Sequence, residues 1–142
     1  MAIGWPDVMI VHHSVSTLDT TTDDIRAWHI DPRRPGGPLQ DIGYHYVIHG
    51  DGGIFAGRPL PFIGAHAAPH NRRSIGVCLV GDNTRDGAHW THDQIYALRW
   101  LYSECRRFWG GFELKGHRDV VPGDTVCPGC DVQEVVLGRE RR

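Results

Sequence analysis

Apolar residues along this chain fall in short runs cut by glycine, proline and histidine. Val8-Met9-Ile10-Val11 is continuous and apolar, the pattern of a buried strand, and it runs into His12-His13-Ser14. Ser74 to Val80 is a longer run of the same kind, the type buried on both faces of a sheet. Tyr44 to His49 is aromatic and β-branched, which favours a strand. Gly50-Asp51-Gly52-Gly53 then makes a turn, and Ile54-Phe55-Ala56 begins the return arm of a hairpin. Phe112 to Lys115 is a last short strand, ending at Gly116-His117.

Helical spacing appears between these runs. The hydroxyls and carboxylates of Thr20 to Asp24 suit a helix N-terminus, so Asp23 to His29 is a short helix. The prolines and glycines from Asp31 to Pro38 cannot continue it. Thr91-His92-Asp93-Gln94 reads as a capping box, and Ile95, Leu98, Leu101, Tyr102, Cys105 and Phe108 follow at helical spacing until Gly110-Gly111. Gly57 to Arg73 reads as loop, Asp131 to Leu137 as a short helix and Arg139 to Arg142 as a solvated end. Buried strands alternating with helices predict an α/β fold. It is a central mixed β-sheet flanked by helices, one domain over residues 1–142.

Composition narrows the function. A hydrophobic share of 40% and a charged share of 23% fit a globular domain. No apolar run approaches the ~18–20 residues of a membrane span. The start, Met1 to Asp7, lacks the basic and apolar regions of a classical signal peptide, so reduced thiols are expected. The net charge of −2 argues against a nucleic-acid partner. Cys78 and Cys105 lie in apolar patterns and read as core.

Ten histidines raise the question of a metal. His12 and His117 each stand at the end of a strand run, and Cys127 comes ten residues after His117 in a Pro/Gly loop. Two imidazoles and a thiolate form a valid tripod for Zn²⁺, with a fourth position left to water, the mark of a catalytic site. Spacing alone is weak evidence, because ten histidines offer many such triplets and a lone histidine is more often surface or satisfied core. Cys127-Pro128-Gly129-Cys130 also invites a redox reading. That motif belongs after a strand in the first βαβ unit, whereas here it lies near the C-terminus. Oxidation of Cys130 with Cys127, switching a metal site off, is the mixed possibility.

Four segments occur in a telling order. They are Ile10-Val11-His12-His13-Ser14, Asp41-Ile42-Gly43-Tyr44-His45-Tyr46-Val47-Ile48, Ser74 to Gly81, and Gly116-His117-Arg118-Asp119-Val120 through Cys127-Pro128-Gly129. Together they resemble the zinc-dependent N-acetylmuramoyl-L-alanine amidases, a superfamily that includes the amidase-type phage lysozymes and the peptidoglycan recognition proteins. The resemblance covers roughly Ile10 to Gly129, and the single-domain phage endolysins look most similar.

The resemblance implies a zinc site in a surface cleft, with His12, His117 and Cys127 as ligands and Tyr44 as a catalytic residue beside the metal. The family often carries lysine two residues before the metal cysteine. Here the position is Thr125, which can donate a hydrogen bond to a developing oxyanion but brings no positive charge. His66, Asn71 and Arg72 match positions beside the cleft and are expected substrate contacts. Asp119 is expected to orient a ligand or to pair with an arginine, and His13 to point away from the metal.

The implied reaction is hydrolysis of the amide between N-acetylmuramic acid and L-alanine of bacterial peptidoglycan. The implied setting is a monomeric phage endolysin, made in the host cytoplasm and acting on the cell wall after holin-type release. The alternative is a module of the same fold that binds peptidoglycan without cutting it; the complete His12, His117, Cys127 set argues against that, while Thr125, in place of the family's lysine, resembles some recognition-protein members.

Overall fold

The computed structural model describes residues 5–138; the tail from Arg139 to Arg142 lies outside them. Five strands form one mixed sheet in the order β3-β2-β4-β1-β5. They are β1 (Val8–His13), β2 (Tyr46–Ile48), β3 (Ile54–Ala56), β4 (Ser74–Leu79) and β5 (Glu113–Gly116). β1 runs parallel to β4 and β5, and β2 parallel to β4; only the hairpin arm β3 is antiparallel. The helices are α1 (Thr22–Ile30), α2 (His92–Trp109), α3 (His117–Val120) and α4 (Val132–Leu137). The expected mixed sheet with flanking helices is the fold observed.

Period-two alternation assigns each strand residue to a face. Met9, Val11, Ile75, Val77 and Leu79 pack under α2 and α4 against Leu98, Leu101, Tyr102, Cys105, Val132 and Val136. Ile42, Val47, Cys78 and Val80 pack on the other face with Ile25 of α1. Cys78 and Cys105 are buried core, as their patterns imply.

Local chemistry fixes the helix ends. Thr21 and Thr91 each accept from the amide three residues on, and Asp24 and Gln94 reach back to close both capping boxes. Gln94 also donates its buried amide to the carbonyls of Val80 (2.8 Å) and Ile48 (3.2 Å), so the first turn of α2 grips the ends of β2 and β4.

The differences from expectation are local. β1 extends through His12 and His13 instead of stopping at Val11. β2 begins at Tyr46 rather than Tyr44, because the backbone before it leaves the regular ladder while still bonding outward: Arg58 N–H donates to the Tyr44 carbonyl and Gly57 N–H to that of His45. The one-turn helix α3 follows β5 where the sequence predicts no element; a single turn is too short to show helical periodicity.

Candidate metal centre

The carboxyl ends of parallel strands gather on one edge of a sheet, and ligand sites form there. β1 and β5 are neighbours, with Val11 opposite Gly116. The residue after each of these is a histidine, the last-but-one residue of β1 and the first of α3, so the register of the two strands brings His12 and His117 together. Their ring centroids are 4.6 Å apart. Asp119 accepts from Gly116 N–H at 2.8 Å and so closes the turn that starts α3 at His117.

Cys127 arrives from the loop after α3. Arg118 N–H donates to its carbonyl at 2.7 Å, and Pro128 packs where a Cβ on Gly116 would stand, at 2.9 Å. Gly129 (φ +79°) bends the chain away in a conformation that favours glycine. The Cys127 Sγ lies 3.7 Å from His12 Nδ1 and receives the His13 backbone N–H at 3.4 Å. One donor atom from each of His12, His117 and Cys127 falls within 4.8 Å of the others. Among the described residues this is the one such group.

The donor set suits a soft divalent cation. Burial holds His12 well below the usual imidazole range, with the neighbouring histidines adding to the effect, and burial also lowers His117. Both rings are therefore neutral at neutral pH, with a lone pair each to offer a cation. Burial pushes the Cys127 thiol up to about 11, against a smaller opposing effect of the His13 amide. A cation is what would draw the thiolate out of this dry site, and the His13 N–H is already placed to bond it.

Tyr44 stands over the triad, 5.0 Å from the His12 ring and 5.3 Å from His29. Its hydroxyl shares a hydrogen bond with Cys78, and burial raises it well above the ordinary phenol range. It is a neutral O–H donor at any physiological pH. The backbone just before it is held by Gly43 N–H donating to His29 Nδ1 at 2.9 Å. Burial, with Arg34 and Arg58 nearby, lowers His29 to about 4, so it stays an acceptor.

The other expected site residues separate. Thr125 lies in the loop before Cys127, where its Oγ1 accepts from Cys127 N–H at 3.1 Å. It lines an open groove of about 560 Å³ with Arg118, Asp119 and Val126. His66 was expected to reach substrate. Instead its ring lies beside His12, with Nδ1 2.8 Å from His12 Nε2 and Nε2 3.2 Å from Ser74 Oγ. Both ring nitrogens are thus engaged inside the protein. Asn71 spends its Oδ1 on the amides of His66 (3.1 Å) and Ala67 (2.8 Å). Arg72 is exposed on the 3-10 turn Asn71–Arg73. His13 points to the α2 side, where Asn83 N–H donates to its Nδ1 at 3.2 Å. Cys130 lies near Asn83, Trp90 and Val135, and burial pushes its thiol up to about 12. A reactive redox pair needs a lowered thiol pKa, and neither cysteine has one.

Sequence reasoning gave no role at the site to His29 and Ser74, and read Cys78 as core alone. The only signal for the last two was an alternation: Ser74, Gly76 and Cys78 are small, while Ile75, Val77 and Leu79 are large. The small set faces the site.

Comparison with known proteins agrees with this geometry. The endolysin of Klebsiella phage KP32 is 38% identical over 130 residues, covering 88% of this chain and 82% of that protein. The solved structure of the N-acetylmuramoyl-L-alanine amidase LysC from Clostridium intestinale superposes with a TM-score of 0.78 at 30% identity, covering 94% of this chain and 85% of that one. A Drosophila PGRP-LB variant in complex with tracheal cytotoxin matches with a TM-score of 0.77 at 30% identity, over 93% of this chain and 80% of that one. The family model for N-acetylmuramoyl-L-alanine amidase matches residues 4–130. That span includes every strand, His12, His117 and Cys127, and it is to this amidase family that the chain belongs.

Proposed function

We propose that this chain hydrolyses the amide between N-acetylmuramic acid and L-alanine of peptidoglycan at a Zn²⁺ held by His12, His117 and Cys127, and that it acts as a phage endolysin. The observation that carries the reading is the convergence of two neutral imidazoles and one thiol within 4.8 Å at the strand ends, in a chain of the amidase family. Bound there, Zn²⁺ would polarise the scissile carbonyl and lower the pKa of water to near ~7.

The chain's own groups do the rest. The two imidazoles and the thiolate would hold the ion, set the charge of the centre and, being only three donors, leave room for water. The Tyr44 hydroxyl, kept protonated by burial, donates a hydrogen bond to the oxygen that gains charge as the carbonyl becomes tetrahedral. Thr125 holds the backbone amide of Cys127 and so fixes the approach of the thiolate; its hydroxyl is a second candidate donor to the oxyanion. Asn71 and Arg72, on the turn behind the site, are proposed to meet the stem peptide, where an arginine suits a carboxylate.

No helix among the described residues is long and apolar enough to cross a membrane. On the likeness to phage endolysins, the proposed setting is synthesis in the host cytoplasm and delivery to the wall by a holin-type release, with the chain acting as a monomer.

Digestion of purified peptidoglycan, with the products identified by mass, tests the reaction. Release of intact stem peptides bearing a free L-alanine amine is expected. Binding to the sacculi with no peptide released would instead make the chain a recognition module.

A further inference from the structure

His66 is the most constrained side chain around the centre that touches no reacting group. Its backbone is pinned by Asn71 Oδ1, which receives the amides of His66 and Ala67. Its ring lies between two glycines: a Cβ on Gly64 would come within 2.8 Å of the ring, and one on Gly76 within 2.6 Å. Any side chain at either glycine would displace it.

The hydrogen bonds around the ring can be satisfied in only one sense. Ser74 Oγ–H donates to the His70 carbonyl at 2.8 Å. A hydroxyl has one proton, so Ser74 Oγ must accept from His66 Nε2–H at 3.2 Å. A neutral imidazole carries one N–H, which leaves His66 Nδ1 as an acceptor. It therefore receives His12 Nε2–H at 2.8 Å. By the same count, His12 Nδ1 holds a lone pair, and Nδ1 is the atom 3.7 Å from Cys127 Sγ. Reversing the chain would strip the His70 carbonyl of its donor and turn a protonated Nδ1 toward the triad.

We propose that His66 is the positioning residue of the metal centre: with Ser74 behind it, it fixes the tautomer and ring angle of His12 so that the Nδ1 lone pair faces the ion. The inference rests on the reading that His12, His117 and Cys127 hold a metal. A partner accepting from the far nitrogen of a ligating imidazole also makes that ligand more basic. A neutral histidine does this without adding a negative charge to a dry site. Position 66 is therefore an acceptor by design, not a spacer.

Zinc affinity of purified protein, measured by competition with a chromophoric chelator, tests the proposal without reference to activity. His66→Phe keeps a ring and removes the acceptor; it is expected to weaken zinc binding by about 10–100-fold. His66→Asn places an oxygen near the position of Nδ1, and is expected to recover most of that loss. Ser74→Ala leaves His66 in place and frees its tautomer, so a smaller loss in the same direction is expected. Nitrogen-15 NMR of the metal-free wild type should show His12 and His66 both protonated on Nε2.

Wild-type zinc affinity in His66→Phe, or a His12 ring protonated on Nδ1 in the metal-free protein, would overturn the proposal. If His66→Phe does not fold, Ser74→Ala decides: unchanged affinity with an unchanged His66 tautomer rejects the chain of bonds. Failure of the wild type to bind zinc at all would reject the metal centre itself. The tautomer measurement needs no metal and tells the two failures apart.

Discussion

The two faces of the sheet are made from the same strands and solve different problems. Toward α2 and α4, alternate residues are large and apolar: Met9, Val11, Ile75, Val77 and Leu79 meet Leu98, Leu101 and Val136. Toward the site, the intervening residues are Val8, Ile10 and His12 on β1 and Ser74, Gly76 and Cys78 on β4. Each small residue serves a ring: Ser74 bonds His66, Gly76 leaves it room, and Cys78 bonds the Tyr44 hydroxyl. One face gains stability from buried area. The other buries a smaller apolar cluster around Ile25, Ile42, Val47 and Val80 and gives up area only on β4, where small residues leave room for the histidines.

The comparison can be broken from either side. His117→Ala or Cys127→Ala should cost the most activity, about a thousandfold or more, since it removes several kcal/mol of electrostatic stabilisation. The α2 face should be untouched, so thermal unfolding of the metal-free protein should match wild type. Leu98→Ala, on the apolar face, should do the reverse. It should cost about 2–5 kcal/mol of stability by opening a cavity, while the protein that remains folded binds zinc normally. Denaturant melts and chelator competition read the two quantities separately.

Smaller effects sharpen the picture of the site face. Tyr44→Phe should lower kcat by about a hundredfold or more through loss of an oxyanion donor, with zinc affinity retained. Thr125→Ala should cost only several-fold in rate, about 1 kcal/mol, the worth of one neutral hydrogen bond.

Acid should loosen the site face first. His29 is lowered from 6.5 to about 4 by burial and nearby arginines. The unfolded chain therefore binds more protons between those values, and its contribution to stability is whole above about pH 6.5 and lost as pH falls toward 4. Hydrogen exchange of the Gly43 amide, which His29 accepts, should rise in that window before the α2 core opens. Equal loss on both faces would contradict the division.

The sheet and long helix were legible because their signals are local. The capping boxes at Thr21 and Thr91 and the apolar spacing of α2 all lie within a few residues of what they specify. His12, His117 and Cys127 were placed by the order of four motifs, since no local rule separates three ligands from ten histidines and four cysteines. His66 escaped for another reason. Its role depends on which ring nitrogen meets which partner across the gap between residues 12, 66 and 74, and pairing across the fold leaves no periodic trace. The alternation of small and large residues in β4 was visible, but the run reads as uniformly apolar when size is ignored.

One metal held by His12, His117 and Cys127 is the centre of the proposed function. Titration of zinc into metal-stripped protein, with peptide release from purified peptidoglycan followed at each step, tests it most directly. Activity should rise linearly and level off at one zinc per chain, and Cys127→Ser should stay flat under the same titration. Full hydrolysis by the stripped protein, or by Cys127→Ser, would contradict the account.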